Sequence, residues 1–267
     1  MRHETRSSDG VRIAFERSGE GKTALVFVHG WLGSARWWDA QRDALASRYS
    51  VVAVELAGHG ASGRDRTQHS VAAYAADIAS VVKTLDADHV VLIGHSMSGA
   101  HALHAALGME RLSALVLVDT LKNVEQQVPA AQVQEMLGLY RADFRAAVEN
   151  VLPKFLFATA TPPEVRARLM REFLERTGEE GAALLEPLYR HDLAADARQL
   201  TVPVRALNSD AQPTAVEANR RHFRDFDVKV IAGVGHYPML EAPGAFNAAL
   251  AEILTAVAAR EGGASSR

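Results

Sequence analysis

The sequence predicts an α/β fold with a mostly parallel, twisted sheet, helices on both faces and an additional helical layer. Two observations support this prediction. Short β-branched or aliphatic runs alternate with helical patterns early in the chain and return near its end. A long, almost wholly helical stretch interrupts the alternation. Because crossovers between parallel strands are right-handed, alternating strands and helices build a parallel sheet covered on both faces.

The predicted parallel strands are apolar runs bounded by Gly, Asp or Ser, at residues 25–28, 51–54, 90–93, 115–118, 202–207 and 228–231. The segment 12–16 follows the turn dipeptide Asp9-Gly10, which predicts an N-terminal antiparallel hairpin at the edge of the sheet. Apolar residues at three- and four-residue steps predict helices between the early strands, at 37–47, 71–85 and 98–107.

Residues 121–201 read as helical, with patterns near 131–148, 164–176 and 182–194. One crossover needs far fewer residues, so we expect a helical cap inserted between the fourth and fifth long parallel strands. The prediction assigns 1–120 and 195–260 to the core, 121–194 to the cap and 261–267 to a flexible tail rich in Gly and Ser. The cap would cover the carboxyl ends of the strands, where open α/β sheets bind ligands.

Composition narrows the class of protein. The 267 residues are 48% hydrophobic and 23% charged, which excludes a disordered chain. The net charge of −3 and the lack of a long basic run argue against nucleic acid as a partner. No apolar run has the length of a membrane span and none resembles a signal peptide, so we expect a cytoplasmic protein without a membrane partner. The absence of cysteine excludes thiolate chemistry.

The strongest functional signal is the segment Gly94-His95-Ser96-Met97-Ser98, which joins a predicted strand directly to a predicted helix. A serine in such a tight turn has a strained backbone, so the residues two before and two after it must be small. The serine hydroxyl then lies at a helix N-terminus, where free N–H groups and the helix dipole favour developing negative charge. Ser96 is therefore the candidate nucleophile.

With this nucleophile elbow, the chain resembles the α/β-hydrolase superfamily, and the resemblance covers nearly the whole length. Further matches occur in the order expected of that family, at His29-Gly30-Trp31, Trp38 with Gln41, the turn 55–62 and Val234-Gly235-His236. Two positions depart from the family pattern. Ser98 replaces a usual glycine, and Glu55 stands where aspartate is commoner.

A serine nucleophile needs a base and an acid that orients the base. His236 is the predicted base, because it lies in the loop after the last predicted strand. Asp210 is the predicted acid, because it follows the strand 202–207 and completes the chain order Ser…Asp…His. Asp119, directly after the strand 115–118, is the alternative acid, since some superfamily members place the acid one strand earlier. The glycine that usually precedes the acid is absent near Asp210.

The resemblance implies an oxyanion hole formed by the backbone N–H groups of Trp31 and Met97, whose side chains we expect to line the pocket. It also implies that His29 and His95 support the site and are not catalytic bases.

Two other patterns suggest cofactor sites. Residues 58–63 fit Gly-x-Gly-x-x-Gly, but the hydrolase turn explains these glycines and no apolar helix follows at once, which disfavours a dinucleotide site. His101 and His104 are spaced to share a metal ion on a helix, but the sequence shows no third ligand. We therefore expect neither a metal nor an organic cofactor.

The leading hypothesis is a serine hydrolase that cleaves a carboxylic ester or related acyl bond through an acyl-enzyme. One alternative is a carbon–carbon bond hydrolase of the same fold, and the other is a hydrolase-fold ligand receptor with slow turnover. A haloalkane dehalogenase or epoxide hydrolase is disfavoured, because resembling members carry aspartate at the position of Ser96. The expected partner is a small-molecule substrate, and the expected assembly is a monomer or homodimer.

Overall fold

The computed structural model describes the backbone of residues 1–264 and the side chains of residues 1–260. The strands are β1 (Arg2–Arg6), β2 (Arg12–Ser18), β3 (Thr23–Val28), β4 (Ser50–Val54), β5 (His89–His95), β6 (Leu112–Val118), β7 (Val204–Ser209) and β8 (Phe226–Ile231). They form one eight-stranded sheet in the order β1-β2-β4-β3-β5-β6-β7-β8. The β1–β2 and β2–β4 pairs are antiparallel, and the remaining pairs are parallel.

The helices of the core are α1 (Asp39–Leu45), α2 (Val71–Lys83), α3 (Met97–Ala106), α10 (Val216–His222), α11 (Pro238–Glu241) and α12 (Pro243–Ala264), and a 3-10 turn, Ala35–Trp38, precedes α1. Between β6 and β7 lie α4 (Ala130–Ala142), α5 (Phe144–Ala146), a π-helical turn (Ala147–Val151), α6 (Pro153–Leu156), α7 (Pro163–Leu174), α8 (Gly178–Leu185), a 3-10 turn (Glu186–Arg190) and α9 (Leu193–Gln199). These helices between β6 and β7 are the cap.

The predicted fold class is confirmed, including the edge hairpin and the insertion between the fourth and fifth parallel strands. The helix predicted over 131–148 is interrupted at Asp143, whose carboxylate accepts the Ala146 N–H at 2.9 Å and starts a new helix. The predicted core boundary at residue 194 falls inside α9, which packs against α3 and α10. The predicted tail begins inside α12, and residues 265–267 lie outside those described.

The central strands are buried because helices cover both faces of the sheet. Every residue of β4 is buried, and so is every residue of β3 after its first. The helix α2 packs against α3, whereas α1 packs against α12. A nearly continuous apolar strand sequence is what such a two-sided environment requires.

A buried ion pair joins the loop after β4 to α2. The Arg66 guanidinium donates to both carboxylate oxygens of Asp77, at 2.7 and 2.9 Å, and its Nε donates to Asp9 at 2.8 Å. The side chains of Arg66 and Asp77 are 2% and 0% exposed. Asp77 also accepts the N–H of Ala57 at 3.1 Å, so the pair fixes the loop that leaves β4.

Among the residues described, no helix combines the length and hydropathy needed to cross a membrane.

Candidate active site

Ser96 lies at the junction of β5 and α3, with φ 52° and ψ −121°. A positive φ is uncommon for a residue other than glycine and is a strained conformation. The neighbouring residues leave no room for larger side chains. A Cβ on Gly94 would lie 2.5 Å from the Ser98 carbonyl oxygen, and a Cβ on Gly99 would lie 2.3 Å from Thr120 Cγ2. Close packing therefore requires a small residue at Gly94, two positions before the serine, and at Gly99, three positions after it.

Three side chains form a continuous hydrogen-bonded relay at the carboxyl edge of the sheet. His236 Nε2 lies 2.7 Å from Ser96 Oγ, and His236 Nδ1 lies 2.7 Å from Asp119 Oδ2. An ionised Asp119 can only accept, so Nδ1 carries the ring hydrogen. Nε2 is then free to accept the Ser96 proton, which is the arrangement that a serine nucleophile requires.

Asp119 is held in place by donors on its other oxygen. The Ser209 N–H and hydroxyl both donate to Oδ1 at 2.7 Å, and Lys122 Nζ lies 2.9 Å from the same atom. Burial alone would raise the pKa of Asp119, but the hydrogen bond to His236 and the charges of His236 and Lys122 hold that pKa well below its usual value. The carboxylate is therefore ionised at neutral pH and fixes the orientation of the imidazole.

The prediction that Asp210 orients His236 is wrong. Asp210 is exposed at the turn after β7, and its Oδ1 accepts the Gly233 N–H at 3.0 Å. It thus stabilises the loop that precedes His236 without touching the ring. The alternative residue, Asp119, makes the contact, because β6 lies beside β5 and ends next to the nucleophile. The Ser96 N–H donates to the Val118 carbonyl at 3.0 Å, which fixes the two strand ends against each other.

The residues predicted to supply the oxyanion donors, Trp31 and Met97, both belong to segments that pass next to Ser96. Met97 is the first residue of α3, so its N–H belongs to the helix turn that lacks internal partners. The loop after β3 passes so close that a Cβ on Gly30 would lie 3.1 Å from Ser96 Cβ, and Trp31 comes next. The Met97 side chain lines the cavity above Ser96. The Trp31 indole instead donates to the Gly181 carbonyl in the cap at 2.9 Å, which differs from the expected pocket lining.

His29, His95 and Ser98 support the site. The Ser98 hydroxyl donates to the His29 carbonyl, and the Leu56 N–H donates to His29 Nε2 at 3.2 Å. His95 Nε2 lies 2.8 Å from the His236 carbonyl oxygen. Burial lowers the pKa of His29 to about 4 and that of His95 to about 3. Both rings are therefore neutral, and the Ser96 hydroxyl is hydrogen-bonded to His236 instead. The serine that departs from the family pattern thus ties α3 to the loop after β3.

These buried histidines predict acid sensitivity of the fold. Burial also lowers the pKa of His101 to about 3, so the folded chain keeps these rings neutral while the unfolded chain protonates them near pH 6.5. Because the folded pKa is depressed, the stability is complete above pH 6.5 and is lost as the pH falls towards 4 and 3. Lowering the pH from 7 to 5 should reduce the free energy of unfolding by up to about 2 kcal/mol for each ring, measured by urea denaturation.

The variant His101→Phe provides the matched comparison, since it retains an aromatic ring beside Tyr74, whose centroid lies 4.8 Å away, and cannot titrate. Its stability is expected to fall less steeply with decreasing pH. A free energy of unfolding that does not change from pH 7 to 5 in the unsubstituted protein would contradict the prediction.

A cavity of about 490 Å³ lies over the relay, and its lining includes Ser96, Asp119 and His236. The cap contributes mainly apolar side chains, Phe155, Leu156, Leu185, Leu188 and Leu193. The cap also touches the loop that carries His236, because the Leu156 carbonyl accepts the His236 N–H at 2.8 Å. The pocket thus has apolar side chains on its cap wall, and its polar lining extends from the relay along the loop 120–127 to His191 of the cap.

The glycine-rich turn at 58–63 has a structural explanation. Gly60 has φ 48°, and a Cβ there would lie 2.1 Å from the Glu55 carboxyl group. That carboxylate accepts the Ala61 N–H at 2.7 Å. The glycines let the turn wrap closely around Glu55, the position where the family more often has aspartate.

The comparisons with known proteins agree with this architecture. The family model described as the alpha/beta hydrolase family matches residues 25–249, and the chain belongs to that family. An AB hydrolase superfamily protein of Bacillus subtilis is 24% identical and covers 94% of this chain and 98% of its own length. A non-heme haloperoxidase of Rhodococcus erythropolis is 27% identical over 86% of this chain and 91% of its own. The chain spans only 33% of the length of a Mycobacterium tuberculosis relative, at 36% identity over 114 residues.

Solved structures give the same fold. An esterase from Exiguobacterium antarcticum superposes with a TM-score of 0.85 at 20% identity, over 96% of this chain and all of that one (100%). A thermophilic esterase from Thermogutta terrifontis superposes with a TM-score of 0.82 at 27% identity, over 96% of this chain and 99% of its own.

Proposed function

We propose that this protein is a serine hydrolase that cleaves a carboxylic ester, or a related acyl bond, through an acyl-enzyme. The observation that carries the proposal is the relay Ser96–His236–Asp119, with both hydrogen bonds at 2.7 Å, at the base of the cavity. The similarity to two solved esterases supports the same assignment.

In the first half-reaction, Ser96 Oγ attacks the acyl carbonyl carbon while His236 Nε2 takes the hydroxyl proton. The carbonyl π electrons move to oxygen, and the N–H groups of Trp31 and Met97 stabilise the resulting oxyanion. When the tetrahedral intermediate collapses, the bond to the alcohol oxygen breaks and His236 donates its proton to the leaving alkoxide. The acyl group stays bound to Ser96.

In the second half-reaction, a water molecule gives a proton to His236 Nε2 and attacks the acyl carbon. Collapse of the second intermediate breaks the bond to Ser96 Oγ, and His236 returns the proton to the serine. Asp119 stays ionised throughout and stabilises the imidazolium. The products are one alcohol and one carboxylic acid.

The cavity indicates the size class of the substrate. A volume of about 490 Å³ is within the usual range for pockets that bind small molecules. The apolar cap residues favour an acyl or aryl group, Ser96 and His236 lie where the carbonyl would react, and further polar residues line the cavity along the loop 120–127. We therefore assign small or medium acyl or aryl esters as the substrate class. The nucleophile atom is a serine oxygen, so an aspartyl ester intermediate of the dehalogenase kind is disfavoured.

The decisive test is intact mass after exposure to a fluorophosphonate, with nitrophenyl ester hydrolysis followed in parallel. We expect one covalent adduct on the unsubstituted protein and none on Ser96→Ala. The matched control is Ser80→Ala, since the Ser80 hydroxyl only donates to the Asp77 carbonyl within α2, at 2.7 Å. This variant should be labelled like the unsubstituted protein. A series of acyl chain lengths then measures the depth of the pocket.

The other outcomes separate the alternatives. Adduct formation together with turnover of a vinylogous diketone but of no ester would replace the proposal with carbon–carbon bond hydrolysis. Failure of the folded protein to form any adduct would refute the activated serine and favour a ligand receptor.

A further inference from the structure

Two histidines and an aspartate converge at the junction between the cap and α3, away from the catalytic relay. His104 Nδ1 lies 2.8 Å from Asp196 Oδ2, and His191 Nε2 lies 2.7 Å from the same oxygen. His104 is on α3, whereas His191 follows the last 3-10 turn of the cap and Asp196 is on α9. The three potential ligand atoms all lie within 4.8 Å of one another.

The histidine pairing considered from the sequence is different. His101 and His104 are one helical turn apart, but His101 is fully buried against the Tyr74 ring, and its nitrogens have no hydrogen-bond partner among the residues described. His104 instead lies beside Asp196, which is 92 residues further along the chain. No local spacing could have shown that third ligand.

No arginine or lysine pairs with Asp196 among the residues described. The Asp196 side chain is only 9% exposed, and its ion pairs within the described part of the chain come from the two histidines alone. An ionised carboxylate buried without a permanent cation is costly unless its hydrogen bonds or a bound ion compensate. Neutral imidazoles supply hydrogen bonds but no positive charge. A divalent cation would supply it.

We propose that His104, His191 and Asp196 form a binding site for a zinc ion. Imidazole nitrogen and carboxylate oxygen are preferred zinc ligands, at about 2.0–2.2 Å, and three protein ligands leave the fourth tetrahedral position open. Ligands at that distance stand roughly 3.3 Å apart, so the carboxylate needs to withdraw from each ring by roughly half an ångström. The ligand set excludes a strong preference for calcium or magnesium, which favour sites built from oxygen.

The site lies where a bound ion would join the cap to the helix that follows Ser96. His191 also lines the catalytic cavity, and α3 carries Met97 at its first turn. A zinc ion bound to all three residues fixes the end of the cap to the elbow helix. Ser96, His236 and Asp119 are not ligands of this site, so the hydrolytic relay does not depend on it.

The test is isothermal titration calorimetry of the untagged, chelator-dialysed protein with zinc chloride. We expect one zinc ion per chain, and at least a tenfold weaker dissociation constant in both His191→Ala and His104→Ala. Cobalt(II) is the second probe, because the visible absorption of a tetrahedral nitrogen–oxygen site should appear in the unsubstituted protein and be lost in His191→Ala. The His104 and His191 side chains are 32% and 24% exposed, so both variants remove partly exposed rings.

The matched control is His222→Ala. His222 Nε2 lies 2.8 Å from Glu125 Oε1, so this variant also removes a histidine paired with a carboxylate, but outside the cluster. It should bind zinc like the unsubstituted protein. Equal zinc binding by the unsubstituted protein and His191→Ala, or no binding by either, would overturn the proposal and leave the cluster as a hydrogen-bonded contact between cap and core.

Discussion

Replacing Asp119 with asparagine is expected to lower kcat for ester hydrolysis about 10⁴-fold, the size of effect known when the acid of a serine triad becomes an amide. The asparagine side chain fits the same space, so Ser209 and Lys122 keep a partner. The amide cannot stabilise the imidazolium that forms when Ser96 transfers its proton, and it favours the wrong ring tautomer. The measurement is steady-state hydrolysis of a nitrophenyl ester, with circular dichroism to confirm folding.

The companion variant is Asp210→Asn, which makes the same chemical change at the acid predicted from the sequence. Because Asp210 accepts only the Gly233 N–H in this region and lies at the surface, we expect its kcat to stay within about threefold of the unsubstituted value. A large loss in Asp210→Asn with little change in Asp119→Asn would reverse the assignment.

Replacing Arg66 with methionine is expected to lower the free energy of unfolding by about 3–5 kcal/mol, the usual cost of removing one partner of a buried ion pair. The variant leaves Asp77 fully buried without its cation. Burial already raises the pKa of Asp77 against the opposing effect of Arg66, so the lost guanidinium favours the protonated carboxyl group further. Urea denaturation followed by tryptophan fluorescence at pH 7 measures the change.

Arg2→Met is the comparison on the surface. Arg2 is 58% exposed on its side chain and lies 3.7 Å from Glu16, an ion pair expected to contribute less than about 1 kcal/mol. If Arg66→Met costs no more than Arg2→Met, the anchoring role assigned to the buried pair is wrong.

The strands, the elbow and the order of the motifs could be predicted because they depend on local sequence. The burial of β3 through β6 requires continuous apolar runs, and the turn at Ser96 requires the small residues around it. These requirements act over a few residues, so they are visible in the chain without any knowledge of distant contacts.

The acid could not be selected this way. Both Asp119 and Asp210 follow strands, and both satisfy the chain order. The difference lies in contacts over long sequence separations, since Asp119 is oriented by Ser209, 90 residues away. The absence of a glycine before Asp210 is the one local signal against choosing that residue as the acid. The lysine three residues after Asp119 belongs to no motif, so it did not identify Asp119 as the acid.

The contact between Asp119 and Ser209 also bears on how the chain acquires activity. The whole cap lies between β6 and β7 in the chain. Pairing these two strands therefore closes one of the longer loops that folding must order. Contacts of this kind form late in folding, after local helices and neighbouring strands. Until β7 pairs with β6, Asp119 lacks two of its donors and β6 presents a free edge. We therefore expect the recovery of hydrolysis during refolding to lag behind the recovery of helical signal, and association between partly folded chains to begin at β6.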